Sequence, residues 1–221
     1  MNYNAFKNLL ISKKEEKFAA FSAKLSNSNY QTIGVKNPDL RQIVKDYKND
    51  PELNLDEFEL GKCVEIDFLY FAFSLSRAKT NIEKLEFIEE KIHYAKSWMI
   101  TDMVSTYIKK ISFNEYWPLF LKLYKSRHVY DRRMAYVLGL KLYRDQKVLQ
   151  ILNYINLNED YMVMMAEAWL LATLAINFSE EIYVFLEKTS DKKLKLKTIS
   201  KMVDSFRISE ETKTKFKALR K

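Results

Sequence analysis

Glycine and proline, the residues that punctuate a chain, occur only three times each in 221 residues. Hairpins and sheet corners draw on these residues for their turns, so the scarcity points to an all-α fold with short connections. The apolar pattern agrees. Ile100, Met103, Val104, Tyr107, Ile108 and Ile111 recur at helical spacing and predict one seam along a helix over 97–111. Further helices are expected over 3–12, 14–25, 40–48, 55–76, 80–95, 114–126, 129–144, 146–155, 159–177, 179–187, 190–205 and 209–219, with Asn37 or Asp39 capping the one that Pro38 helps to start. Connections of a few residues make neighbouring helices pack antiparallel, and nothing reads as a linker, so a single domain over 1–221 is expected.

Several functional classes are excluded by what the chain lacks. No run approaches 18 apolar residues, so no membrane span is expected. The opening MNYNAFKNLLISKKEEK has neither the apolar run nor the small-residue cleavage site of a signal peptide. One cysteine and two histidines give no disulfide and no metal-ligand spacing. Cys63 lies in the apolar GKCVEIDFLYFAF and reads as an inert packed thiol, while His93 and His128 fall near helix ends. A glycine-rich phosphate loop is missing, which closes the ATPase and kinase readings. The expectation is a soluble, cytoplasmic, monomeric protein with no metal and no cofactor.

Net charge is +8, and it is unevenly spread. Residues 188–221 carry 12 basic against 4 acidic side chains, residues 1–50 carry 9 against 5, and residues 51–187 carry 16 against 20. Basic ends around an acidic middle are the footprint of a polyanion partner such as nucleic acid; the plainer reading is a solvated lysine-rich surface.

Against that background the stretch AKSWMITDMVS stands out. Trp98 and Asp102 fall within ~40° of each other on a helical wheel, roughly opposite the apolar seam, and Ser105 and Lys109 are expected to continue their line. Thirty-five residues on, Arg133 opens YDRRMAYVLGLKLYR with Tyr136, Leu140, Lys141 and Tyr143 beside it, and 36 residues further comes Trp169, in the almost wholly apolar DYMVMMAEAWLLATLAINF that also holds Glu167. A helix-pair period in the mid-thirties to forties is what HEAT-like and related α-solenoids show, and in these successive second helices line one concave surface. An arginine with lysine and tyrosine companions suits a phosphate backbone; the plainer alternatives are a surface Arg133 paired with Asp131 or with an acid of a neighbouring repeat, and a core role for Trp169.

Four stretches in this order resemble one family, the AlkD-type DNA alkylation-repair proteins built of HEAT-like repeats: TIGVKNPDLRQIVKDY, the Trp-x-x-x-Asp of SWMITD, DRRMAYVLGLKLY and YMVMMAEAWLLA. The resemblance runs from about residue 5 to 220. It implies a basic concave groove for double-stranded DNA and excision of N3- or N7-alkylated purines without a conventional flipped-base pocket. It further implies that Trp98 and Trp169 flank the lesion's deoxyribose, that Asp102 is the catalytic carboxylate, that Arg133 contacts phosphate, and that Lys141 adds a DNA contact. Lys109, on the line of Trp98, and the pair Lys197 and Lys201, four apart in KLKLKTISKMV, are expected on the same surface.

One region departs from the active pattern. Where the active branch ends its second helix in a Tyr–Met–Lys–Asn-like stretch, this chain has FAAFSAKLSNSNYQTIG, with Leu25 near the aromatic position and Lys24 the one charge. That form resembles a sister branch with a reduced DNA-gripping helix, and the spacing of Tyr30 argues against its substituting. Three readings stay open: an alkylpurine glycosylase, a DNA-binding relative without excision, and a helical-repeat module for a protein partner.

Overall fold

The computed structural model describes residues 2–25, 30–155 and 159–220. The described residues are almost wholly helical, with one isolated parallel bridge between Gln31 and Cys63. The chain forms two compact units, 1–109 and 110–221.

Unit 1 holds α1 (Tyr3–Ser12), α2 (Glu16–Leu25), α3 (Asn37–Tyr47), α4 (Val64–Arg77), α5 (Asn81–Lys91) and α6 (Trp98–Tyr107). Its core is aromatic: Phe6 of α1 meets Phe73 of α4 edge-on at 5.7 Å and Tyr47 of α3 at 5.4 Å. Neither expected cap of α3 acts as one. Lys36 is the N-cap and its side chain makes no capping bond, while Asp39 pairs with Lys13 at 3.2 Å. A contact from α1 outcompetes the local one.

The segment between α2 and α3 is held by two carboxylates from the first turns of α4. Glu65 is fully buried and accepts from Thr32 Oγ1 (3.0 Å) and from the backbone amides of Ile33 (2.9 Å), Gly34 (2.7 Å) and Val35 (3.1 Å). Gly34 adopts φ +98°, and an added Cβ there would lie 2.6 Å from the Glu15 carbonyl and 2.7 Å from Ala19 Cβ. Only glycine lets this loop pass so close to α2. Asp67, also fully buried, accepts from the Tyr30 hydroxyl and from the Gly61 amide at 3.0 Å. Tyr30 is thus a buried anchor of this segment. Lys24 and Leu25 have side chains outside the described residues.

Burial lifts the Asp67 carboxyl up to about 7, against the pull of its two hydrogen bonds and of the Lys96 charge. The native state therefore keeps a proton that the unfolded chain has lost, and the stability this proton confers disappears as pH rises through about 7. The melting temperature is expected to fall between about pH 4 and pH 7 and to level off above, and Asp67→Asn should flatten that slope in parallel thermal melts. An unchanged slope would mean that Asp67 ionises as it does in the unfolded chain.

Unit 2 holds α7 (Phe113–Tyr124), α8 (Val129–Gly139), α9 (Tyr161–Leu174), α10 (Ser179–Lys188), α11 (Lys192–Val203) and α12 (Glu210–Lys217), with 3₁₀ turns over Leu140–Leu142, Gln146–Tyr154 and Ala218–Arg220. The apolar α9 packs against α8 and α11 together, which is why it shows no polar face. α7 also packs on α8, and Gly139 permits the approach: a Cβ there would lie 2.8 Å from the Tyr116 hydroxyl, which donates to the Ala135 carbonyl at 2.8 Å. Packed helix pairs of this kind make an all-α helical-repeat fold. Among the described residues, no helix is long and apolar enough to cross a membrane.

Candidate functional site

In unit 1 the site is built on α6. Ser97 caps it, its hydroxyl accepting from the Met99 amide at 3.2 Å, and Met99, Ile100, Met103 and Val104 bury the seam on the side that packs against α4. Trp98 and Asp102 follow one turn apart on the other side, both partly exposed. The Thr101 hydroxyl, which donates to the Trp98 carbonyl at 3.0 Å, also lies 3.4 Å from Asp102 Oδ1. A cation-seeking indole and a carboxylate thus share one accessible helix face.

The expected continuation of that line fails. α6 ends at Tyr107 and not at 111, with Ile108 extended, so Lys109 is an exposed residue beyond the helix. Ser105 turns its hydroxyl back to the Asp102 carbonyl at 2.8 Å and is buried. Thr106 bonds the Met103 carbonyl at 2.7 Å in the same way. Such back-bonding weakens a helix, and the β-branched Val104 and Thr106 add to it.

In unit 2 the expected residues fall on α8, α9 and α11. Arg133 is not the surface residue its spacing implied: it is 5% exposed, and its guanidinium donates to the Met162 carbonyl at 2.7 Å, tying α8 to the first turn of α9. The alternative pairing with Asp131 is not what holds it. The Ser126 hydroxyl donates to Asp131 at 2.7 Å, and the neighbouring Arg132 takes the ion pair, with Glu159 at 3.0 Å. Lys141 lies half-buried in the 3₁₀ turn after α8, and that burial holds its ammonium below the ordinary lysine range. Trp169 is partly exposed on α9, and the Lys201 ammonium stands 5.9 Å over its ring. Lys197, one turn earlier on α11, is exposed. Burial first, and the fully buried Glu167 second, raise the Tyr136 phenol far above its ordinary range.

The Cys63 thiol, pushed up to about 12 mainly by burial and next by Glu65, stays protonated near neutrality and is no nucleophile. Among the described residues, no group of three or more His, Cys, Asp or Glu side chains is placed to hold a metal ion. Phe21 of α2 was missed in the sequence: it is 55% exposed on the helix where a DNA-gripping aromatic was sought four residues later.

The chain is therefore an all-α helical-repeat protein that sets an indole and a carboxylate on one exposed helix face. A family model described as DNA alkylation repair enzyme matches residues 5–201, and the chain belongs to that family. No curated protein and no solved structure matches it.

Proposed function

We propose that this protein binds duplex DNA through HEAT-like repeats and hydrolyses the N-glycosidic bond of cationic N3- or N7-alkylpurines. The observation that carries the reading is the Trp98–Asp102 pair, partly exposed and one turn apart on α6, in a chain of the DNA alkylation repair family. That family match crosses the boundary between the two units, so the function is assigned to both together.

The chemistry is economical. Alkylation leaves the purine with a positive charge, and breaking the C1′–N bond returns the bonding pair to the base, which departs neutral. The positive charge passes to an oxocarbenium-like sugar. The Asp102 carboxylate stabilises that charge and orients water, which attacks C1′ and gives up its proton to the carboxylate or to solvent. The indole face of Trp98 favours the same cationic sugar. Lys109, Lys141, Lys197 and Lys201 supply phosphate contacts, and Arg133, bonded to Met162, adds positive charge from within the α8–α9 pair.

A second reading, DNA binding without excision, draws on α2. That helix carries Lys17 and Lys24 against Glu16, and the preceding Lys14 lies 3.7 Å from Glu16, so the helix offers DNA little net charge. Substrate selectivity tests the first reading. Base release is expected from duplexes bearing cationic N7-methylguanine and not from duplexes bearing neutral uracil or hypoxanthine. Equal release of all three would show that developing positive charge is not what the site recognises.

A further inference from the structure

We propose that Phe206 is a wedge that inserts between base pairs of duplex DNA, flanked by two arginines that hold the backbone beside it. The proposal rests on the DNA-binding reading above, and Phe206 and Arg207 lie beyond the family match, which ends at 201.

Phe206 is fully exposed, at 104%, whereas the next most exposed large apolar side chains reach 60%. It sits in the turn after α11, and that turn is built to keep it outward. The Ser205 amide donates to the Met202 carbonyl at 3.1 Å, and the Arg207 amide donates back to Ser205 Oγ at 3.2 Å. Ile208, two residues on, is buried and anchors the far side. The braced turn fixes the backbone that carries the ring and so presents the ring outward to an apolar slot.

The surroundings select nucleic acid as the partner. Arg207 lies over the Tyr143 ring at 4.5 Å, and Arg144 lies at 5.2 Å from the same ring. Tyr143 is itself held by Asn177, whose side-chain amide donates to the Tyr143 carbonyl at 2.9 Å. Both arginines are exposed, and among the described residues neither makes an ion pair; of the nearby acids, Asp145 accepts from the Lys147 amide at 3.0 Å and Asp204 is exposed. Guanidinium groups parked on a ring are positioned without being neutralised, so they keep their charge for phosphate. An apolar ring beside such cations is the arrangement by which proteins unstack a base step and hold the bent backbone. Lys201, whose ammonium stands over the Trp169 ring at 5.9 Å, precedes Phe206 by five residues, at most ~18 Å of chain.

The test uses the full chain and a duplex carrying 2′-fluoro-7-methylguanine, whose glycosidic bond resists hydrolysis, with one 2-aminopurine placed in turn at each neighbouring step. Unstacking raises the fluorescence of that base. The wild-type protein is expected to raise it several-fold at one step, and Phe206→Ala to abolish the rise while weakening binding roughly 10-fold. Phe206→Trp should restore the rise, and melting temperatures should match throughout because the side chain packs on nothing. Binding by the wild type with no rise at any step, or a full rise with Phe206→Ala, overturns the wedge and leaves the DNA-binding reading standing. Absence of duplex binding by the wild type overturns both.

Discussion

Replacing Asp102 with asparagine is expected to lower the single-turnover rate of alkylpurine release by about 100- to 1000-fold while leaving duplex affinity and melting temperature unchanged. Asparagine keeps the size of the side chain and its place beside Thr101 Oγ1, 3.4 Å away, and removes the charge. A group that acts on an oxocarbenium-like transition state loses its effect with that charge, and the loss appears in the chemical step rather than in binding. Because Asp102 is partly exposed and lies off the packed seam of Met99, Ile100, Met103 and Val104, the substitution leaves the core around α6 untouched. A fall in rate that merely tracks a fall in stability or affinity would make Asp102 structural. Trp98→Phe, which keeps an aromatic face, should retain more activity than Trp98→Ala.

The second large effect concerns stability. Glu65→Ala strips an acceptor from one hydroxyl and three backbone amides in the 32–35 loop. Each buried donor left unsatisfied costs about 1–3 kcal/mol, and relaxation of the loop recovers part of the sum, so a loss of about 3–5 kcal/mol is expected. In a unit of this size that lowers the melting temperature by more than ~10 °C. Glu65→Gln keeps one acceptor oxygen and should fall between the two. A near-native melt for Glu65→Ala would mean that the loop finds other partners, and the carboxylate would then not be what seats the segment between α2 and α3.

These two carboxylates also mark how far the amino-acid sequence could be read unaided. Asp102 announced itself through local spacing: the apolar residues of α6 form a periodic seam, and what faces away from it can be picked out by counting. Ile100, Met103 and Val104 are buried as that counting requires. Glu65 gave no such signal, because its partners lie about 30 residues earlier and no local pattern records a contact at that range. The same limit explains Arg133. Periodicity places it off the core stripe of α8, but α8 packs on both α7 and α9, so there is little outside for it to face. Helix ends failed for a different reason. The seam runs on to Ile108 and Ile111, both buried, while the helix stops at Tyr107, so burial outlasts the backbone regularity that normally causes it.

The most direct measurement is base release under single-turnover conditions, with protein in excess over a duplex holding one N7-methylguanine, run beside the Asp102→Asn variant and a protein-free control. Release by the wild type well above the control, with Asp102→Asn close to the control despite equal duplex binding, is the predicted result. Wild-type release no faster than the control, with the duplex demonstrably bound, would contradict the glycosylase assignment and leave the chain as a DNA-binding member of its family.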